Sequence, residues 1–196
     1  MKRICDMYAR HGIHQTFFIP AWCTEQHPDI VETVLEDGHE IAHHGYIHES
    51  PNKQESVEDE RYWLEKGIDI IERMTGQKPR GWRAPLYHFS EFSADLLIEN
   101  GFLYDASLMG DDVPYIIKTN QGEMVELPSH WGMDDWNHYA HISELHSDVP
   151  TKAPEEAMKR FSCRSSRHTA SMAVSGSPSG IPRFQAGLHA GIRSTA

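Results

Sequence analysis

Gly38-His39-Glu40-Ile41-Ala42-His43-His44-Gly45-Tyr46-Ile47-His48-Glu49 places four of the chain's 14 histidines within ten residues. His39 to His43 reads as a short strand, and Gly45 lets the backbone approach closely as that strand turns. Side chains alternate across a strand, so His43 and His44 point to opposite faces, and His43 is read as structural. His44 and His48 form an H-x-x-x-H pair. On one helical turn positions i and i+4 share a face, which would bring both imidazoles onto one ion. Neutral imidazole is a good ligand for a divalent metal such as zinc. The competing reading is a polar, solvent-facing loop that carries imidazoles by chance, since this spacing arises readily in a His-rich chain.

Upstream, Ile4, Met7 and Tyr8 fall at helical spacing before Gly12. Gln15 to Ile19 reads as a buried strand ended by Pro20. Pro28 suits the first turn of a helix that carries Ile30, Val31, Val34 and Leu35 to Gly38. Downstream, residues 55–75 predict a longer helix with Trp63, Ile68, Ile71 and Met74 near one face and Gly76 as stop. Gly81 to Ala84 is the next strand. Ser90 caps a helix with Leu96, Leu97 and Ile98 inward, and Leu103 to Ser107 and Met124 to Leu127 complete the strands. Helix and strand alternate, which predicts an α/β architecture with a parallel sheet covered by helices. Chemistry in such folds sits beyond the carboxyl ends of the strands. Those ends are Pro20–Cys23, His44–His48, Arg83–Tyr87, Ser107–Asp112 and Pro128–Asp135.

Composition narrows the function classes. A length of 196 residues with 39% hydrophobic and 24% charged residues suits one ordinary domain. A net charge of -11 argues against nucleic acid or an anionic membrane as partner. No apolar run approaches the ~20 residues of a membrane span. Met1-Lys2-Arg3 runs into Ile4-Cys5-Asp6 rather than a leader's apolar core, which predicts a cytoplasmic location. Cys5, Cys23 and Cys163, odd in number and scattered, fit a reducing compartment. All 29 acidic residues lie in residues 1–161; residues 162–196 hold eight Ser and four Arg but no Asp, Glu or Lys. The expected division is a domain over 1–161 and a disordered or out-of-frame tail over 162–196. A linker or a natural disordered tail is the alternative.

The opening stretch resembles the second motif of the NodB-homology polysaccharide deacetylases, in the branch similar to peptidoglycan deacetylases and allantoinase-like enzymes. Thr16-Phe17-Phe18-Ile19-Pro20 resembles the strand before that motif, and Gly81-Trp82-Arg83-Ala84-Pro85-Leu86-Tyr87 resembles the family's R-x-P motif. Gly101-Phe102-Leu103-Tyr104-Asp105-Ala106-Ser107-Leu108-Met109 is similar to its Y-D-x-S-L-M segment. Leu127-Pro128 through Trp131 and Asp134-Asp135 resembles a later strand and loop. The likeness is collinear from about residue 5 to about residue 161.

This resemblance implies a distorted (β/α) barrel with fewer strands than the eight-fold form, here only part of one. It implies one divalent metal, often zinc, held by an Asp and two His, which His44 and His48 match. The Asp ligand and the neighbouring Asp base are expected ahead of residue 1, and the acid His after residue 161. The domain is therefore expected to be incomplete at both ends, with little activity of its own. Arg83 would orient or charge the catalytic carboxylate, or else be an exposed Arg at a turn. Asp105 would bond a backbone turn, stand behind the metal ligands, or be a plain strand-end Asp. Tyr87, Trp131 and Trp136 would stack on sugar rings or belong to the core. Asp134 and Asp135 would substitute as ligands or form a solvated loop. The implied function is hydrolysis of a non-peptide carbon–nitrogen bond, foremost N-deacetylation of an amino sugar. A cyclic amide or ureide substrate and an inactive fragment that binds metal or carbohydrate are the alternatives. An uncovered strand edge would favour self-association into a homo-oligomer.

Overall fold

Pro20 ends the first strand and Gly38 turns the chain into the second; between them the chain crosses one face of a sheet through helices. The computed structural model describes residues 1–131, Asp134 and Trp136. Its elements are α1 (Lys2–Arg10), β1 (Thr16–Ile19), α2 (Ala21–Gln26), α3 (Pro28–Glu36) and β2 (Glu40–His43). They continue with α4 (Val57–Thr75), β3 (Gly81–Trp82), α5 (Ser93–Glu99), β4 (Tyr104–Asp105), β5 (Tyr115–Lys118) and β6 (Glu123–Glu126). The six strands form one sheet in the order β1-β2-β3-β4-β6-β5. Every pairing is parallel except that of β5 with β6. The α/β expectation therefore holds, and among the described residues the sheet stays open, with β1 and β5 as its edges.

Two elements are absent from the sequence reading, and α5 begins at Ser93 after Phe92, with no side-chain cap, rather than at a Ser90 cap. Ala21–Gln26 is a helix, α2, where a strand-end loop was expected. No side chain caps its start; instead Ala21 N and Trp22 N donate to the Gly45 and Tyr46 carbonyls, both at 2.9 Å. Tertiary partners thus replace the local signal that a sequence would show. β5 is an antiparallel edge strand with Ile116 and Lys118 outward, in a stretch where the sequence predicts no strand.

α4 shows the local physics best. Ser56 caps it by accepting from Asp59 N at 3.2 Å, and Glu58, Asp59 and Glu60 fill its positively polarised first turn. Gly76, at φ 76°, ends it in the left-handed conformation. Leu64 and Ile68 enter one core cluster with Trp82, Leu96, Leu97, Phe102 and Met124. Ile70 and Ile71 enter a second with Cys5, Val31, Val34 and Ile41. Each such side chain contributes about 1.5–3 kcal/mol of burial, so α4 joins the two clusters. No described helix is long and apolar enough to cross a membrane.

Register then decides which side chains can form a site. Ile19, His43, Trp82, Asp105 and Glu126 stand side by side across β1, β2, β3, β4 and β6. This row faces the helices, since Trp82 packs on the α4–α5 cluster and a His43 ring nitrogen meets the Leu64 carbonyl. The ladder runs one residue further: Arg83 N donates to His43 O, Ala106 N to Trp82 O and Leu127 N to Asp105 O. By the two-residue period, His44, Arg83, Ala106 and Leu127 turn to the opposite face.

Candidate functional site

His44 leaves β2 on that opposite face, and its Nδ1 lies 2.7 Å from the Arg83 carbonyl oxygen. A carbonyl only accepts, so Nδ1 carries the proton and Nε2 keeps its lone pair. Burial holds the imidazole down at about 4, the Arg83 carbonyl opposes this, and the His48 and Arg83 charges add to it. His44 is therefore neutral near pH 7, the state a metal ligand needs. The His48 ring lies 4.9 Å from it, centroid to centroid, at an interplanar angle of 73°.

The pair meets on a loop, not on the helical turn its spacing suggested. Residues 44–50 are irregular, with Gly45 at φ 75° and His48 at φ 67°. A β-carbon on Gly45 would lie 3.1 Å from Pro85 Cγ and 3.0 Å from Glu49 Oε1, so the loop packs backbone-close, as the glycine implied. His43 turns away and is fully buried. Its Nε2–H donates to Leu64 O at 3.2 Å, and its Nδ1 accepts from Gly45 N at 3.1 Å. Burial pushes its pKa down to about 3, so it stays a neutral donor–acceptor.

Arg83 caps the same face. Its guanidinium lies 4.4 Å from the Phe18 ring centroid. Nε donates to Ala106 O at 2.8 Å and Nη2 to Ser129 Oγ at 3.3 Å. No carboxylate pairs with it among the described residues. Tyr87 and Trp131 meet edge to face at 5.0 Å, and the Tyr87 hydroxyl donates to Asp134 Oδ2 at 2.8 Å. Trp131 and Trp136 are both exposed. Behind the histidine loop, a cavity of about 20 Å³ lined by His43, Gly45, Glu49, Trp82 and Pro85 is too small for a sugar ring. His48 is exposed to solvent.

Asp105 bonds a backbone turn, as one of its three readings had it. It accepts from Ser107 N at 3.0 Å and from Ser107 Oγ at 2.6 Å. That hydroxyl in turn accepts from Ala84 N at 2.7 Å, tying the Arg83–Pro85 segment to β4. Beside Asp105 in register stands Glu126, also fully buried. Burial raises both carboxyls; Asp105 beside it holds Glu126 up to about 10, so Glu126 keeps its proton. Glu126 Oε1 accepts from Leu108 N at 3.0 Å, while Oε2 meets no donor among the described residues. A proton there turns it into a donor toward Asp105.

As a metal centre the histidine pair fits in part. Two imidazoles with adjacent rings, one of them with its tautomer fixed from behind, suit two positions of a tetrahedral ion. Among the described residues no group of three or more His, Cys, Asp and Glu side chains comes together. Asp135 and residues 137–196, including the expected acid-histidine region and the Ser-rich tail, lie outside the described residues.

The sequence profile described as polysaccharide deacetylase matches residues 1–104. The chain belongs to the polysaccharide deacetylase family. This deacetylase-family chain is 28% identical over 159 residues to the peptidoglycan deacetylase of Helicobacter pylori, covering 69% of this chain and 54% of that protein. It thus spans about half the length of the curated relatives it matches. A solved structure from Mycobacterium smegmatis, assigned as a polysaccharide deacetylase, superposes with a TM-score of 0.80 at 33% identity. That match covers 86% of this chain and 59% of the other. An allantoinase structure superposes with a TM-score of 0.74 at 23% identity over 87% of this chain and 54% of its own, a likeness of fold.

For this deacetylase-family chain, sequence reasoning passed over Glu49, Glu126 and Ser129. Glu49 directly follows His48, and a carboxylate placed after a glycine turn is a signal for clasping backbone N–H groups. Glu126 shows no comparable signal, because a Glu between Val125 and Leu127 reads as a solvent-facing strand position.

Proposed function

We propose that this chain supplies the two-histidine half of a metal centre in an N-deacetylase acting on the acetamido group of an amino sugar. The observation that supports it is the His44 Nδ1–H···O=C bond to Arg83 at 2.7 Å, which leaves Nε2 as a lone-pair donor beside the His48 ring. His44 and His48 would hold a divalent ion, zinc in the first instance. Such an ion, when bound, supplies Lewis-acid polarisation and acidifies a water.

The chain's own residues do the rest of what can be derived. The Arg83 carbonyl keeps the His44 ring from rotating and selects its tautomer. The Arg83 guanidinium, held by Ala106 and Ser129, brings positive charge to the sheet face that carries His44, where a carboxylate base would be oriented. Tyr87 and Trp131 offer a ring edge and a ring face to a sugar at the solvent side. His44 and His48 cannot also act as base once they hold a metal. The third ligand, the base and the acid therefore come from outside the described residues.

Titration calorimetry tests this reading with zinc and with N-acetylglucosamine oligomers. One equivalent of zinc is expected in the parent chain and none at that site in His44→Ala. The oligomers are expected to quench tryptophan fluorescence, and less so in Tyr87→Ala. A preference for cyclic ureides over the oligomers would move the assignment to cyclic amides. Acetate release is expected to stay near the His44→Ala level, and turnover well above it would show that this chain carries its own base.

A further inference from the structure

His48 is held at φ 67°, a conformation that a side chain of its shape adopts rarely and at a cost. Something must hold it there, and the carboxylate next to it is placed to do so. Glu49 Oε1 accepts from Tyr46 N at 2.8 Å, and Oε2 accepts from Tyr46 N at 2.9 Å and Ile47 N at 2.7 Å. Both N–H groups ahead of His48 thus converge on one carboxylate, a charge-assisted clasp that closes the loop. The loop is pinned at other points too: Gly45 N by His43 Nδ1, and the Gly45 and Tyr46 carbonyls by the first N–H groups of α2. These pins fix residues 45 and 46, and only Glu49 reaches Ile47 among the hydrogen bonds described.

We propose that Glu49 is a positioning residue that fixes the Tyr46–Ile47 backbone and thereby aims the His48 ring at the His44 ring before any metal arrives. The proposal rests on the metal reading above for its consequence and not for its geometry. The Glu49 carboxylate is engaged by backbone N–H groups, so its role is to hold the loop rather than to ligate. Its negative charge next to a cation site would also favour metal binding at short range.

The test uses the full chain, metal-free and isotope-labelled. With ring centroids 4.9 Å apart, the parent is expected to show a nuclear Overhauser contact between His44 and His48 ring protons. Glu49→Ala is expected to weaken that contact at least fivefold while the rest of the amide spectrum stays folded. Glu49→Gln keeps one acceptor oxygen but turns an amide donor against the other N–H. It should weaken the contact less, and it serves as the readout if Glu49→Ala does not fold. Cobalt(II) titration then follows the absorption that His44→Ala removes, whose affinity is expected to fall at least tenfold in Glu49→Ala and to recover partly in Glu49→Gln. An undiminished ring contact in the folded variant overturns the proposal. Parent cobalt binding no different from His44→Ala would instead sink the metal reading, and the ring contact would still decide the role of Glu49.

Discussion

At the end of β2, His44 and His48 pair on the solvent side; at the ends of β4 and β6, Asp105 and Glu126 pair with neither exposed. Both are pairs of titratable groups at strand ends, where chemistry is expected. They differ by one position of a two-residue period. Asp105 and Glu126 stand in the row that faces the helices, and His44 stands in the next one. In the helix-facing row, low dielectric keeps a proton on Glu126 and backbone donors take up the acceptors, so the pair joins β4 to β6. In the other row, one ring is fixed from behind and its second nitrogen is kept available. Residue type marks both places; sheet parity separates a ring with a nitrogen left available from a buried strut.

The largest effect is expected at Glu126. Glu126→Ala removes the proton donor, leaves the Asp105 charge buried and opens a cavity, so a loss of about 3–5 kcal/mol is expected by urea unfolding. A variant as stable as the parent would show that the pair carries no structural role. Gly67→Ala comes next. Its β-carbon would fall 2.2 Å from His43 Nε2, so His43 must give up Leu64 or Gly45. A cost of about 1–3 kcal/mol is expected in the thermal melt, together with disturbance of the His44 loop.

A pH series sharpens the same contrast. In the folded chain Glu126 keeps its proton up to about 10, whereas in the unfolded chain it gives it up near the ordinary 4.5. The folded state then binds more protons between those values, so this pair's contribution is full below about 4.5 and is lost as pH rises toward about 10. Glu126→Gln, whose amide can donate to Asp105 at any pH, is expected to flatten that slope between pH 5 and pH 9 in urea midpoints. An identical slope in parent and variant would remove Glu126 from the account. The smallest effect is expected at the Arg73–Glu25 ion pair, 2.6 Å long but largely exposed. Arg73→Ala should cost about 0.5 kcal/mol or less by the same unfolding assay, and less still in high salt.

Much of this was legible in the residues. The Gln15–Ile19 run, the Pro28 start, the Gly38 and Gly76 stops and the helix over 55–75 all announce themselves by local chemistry, and the His43/His44 alternation separates the two faces of β2 without coordinates. α2 was hidden because its start is held by the carbonyls of Gly45 and Tyr46, far along the chain. β5 was hidden because an edge strand buries only half its side chains weakly, as its outward Ile116 shows. The convergence of His44 and His48 was expected for the wrong local reason. Left-handed residues at 45 and 48, clasped by Glu49, do what a helical turn was expected to do. That geometry depends on side chain-to-backbone bonds, which spacing alone does not disclose.

The most direct measurement is zinc X-ray absorption on the full chain at one equivalent of metal. Two imidazole nitrogens at about 2.0–2.1 Å are expected, falling to one in either His44→Ala or His48→Ala. A signal unchanged by both substitutions, or carried by other histidines, would contradict this.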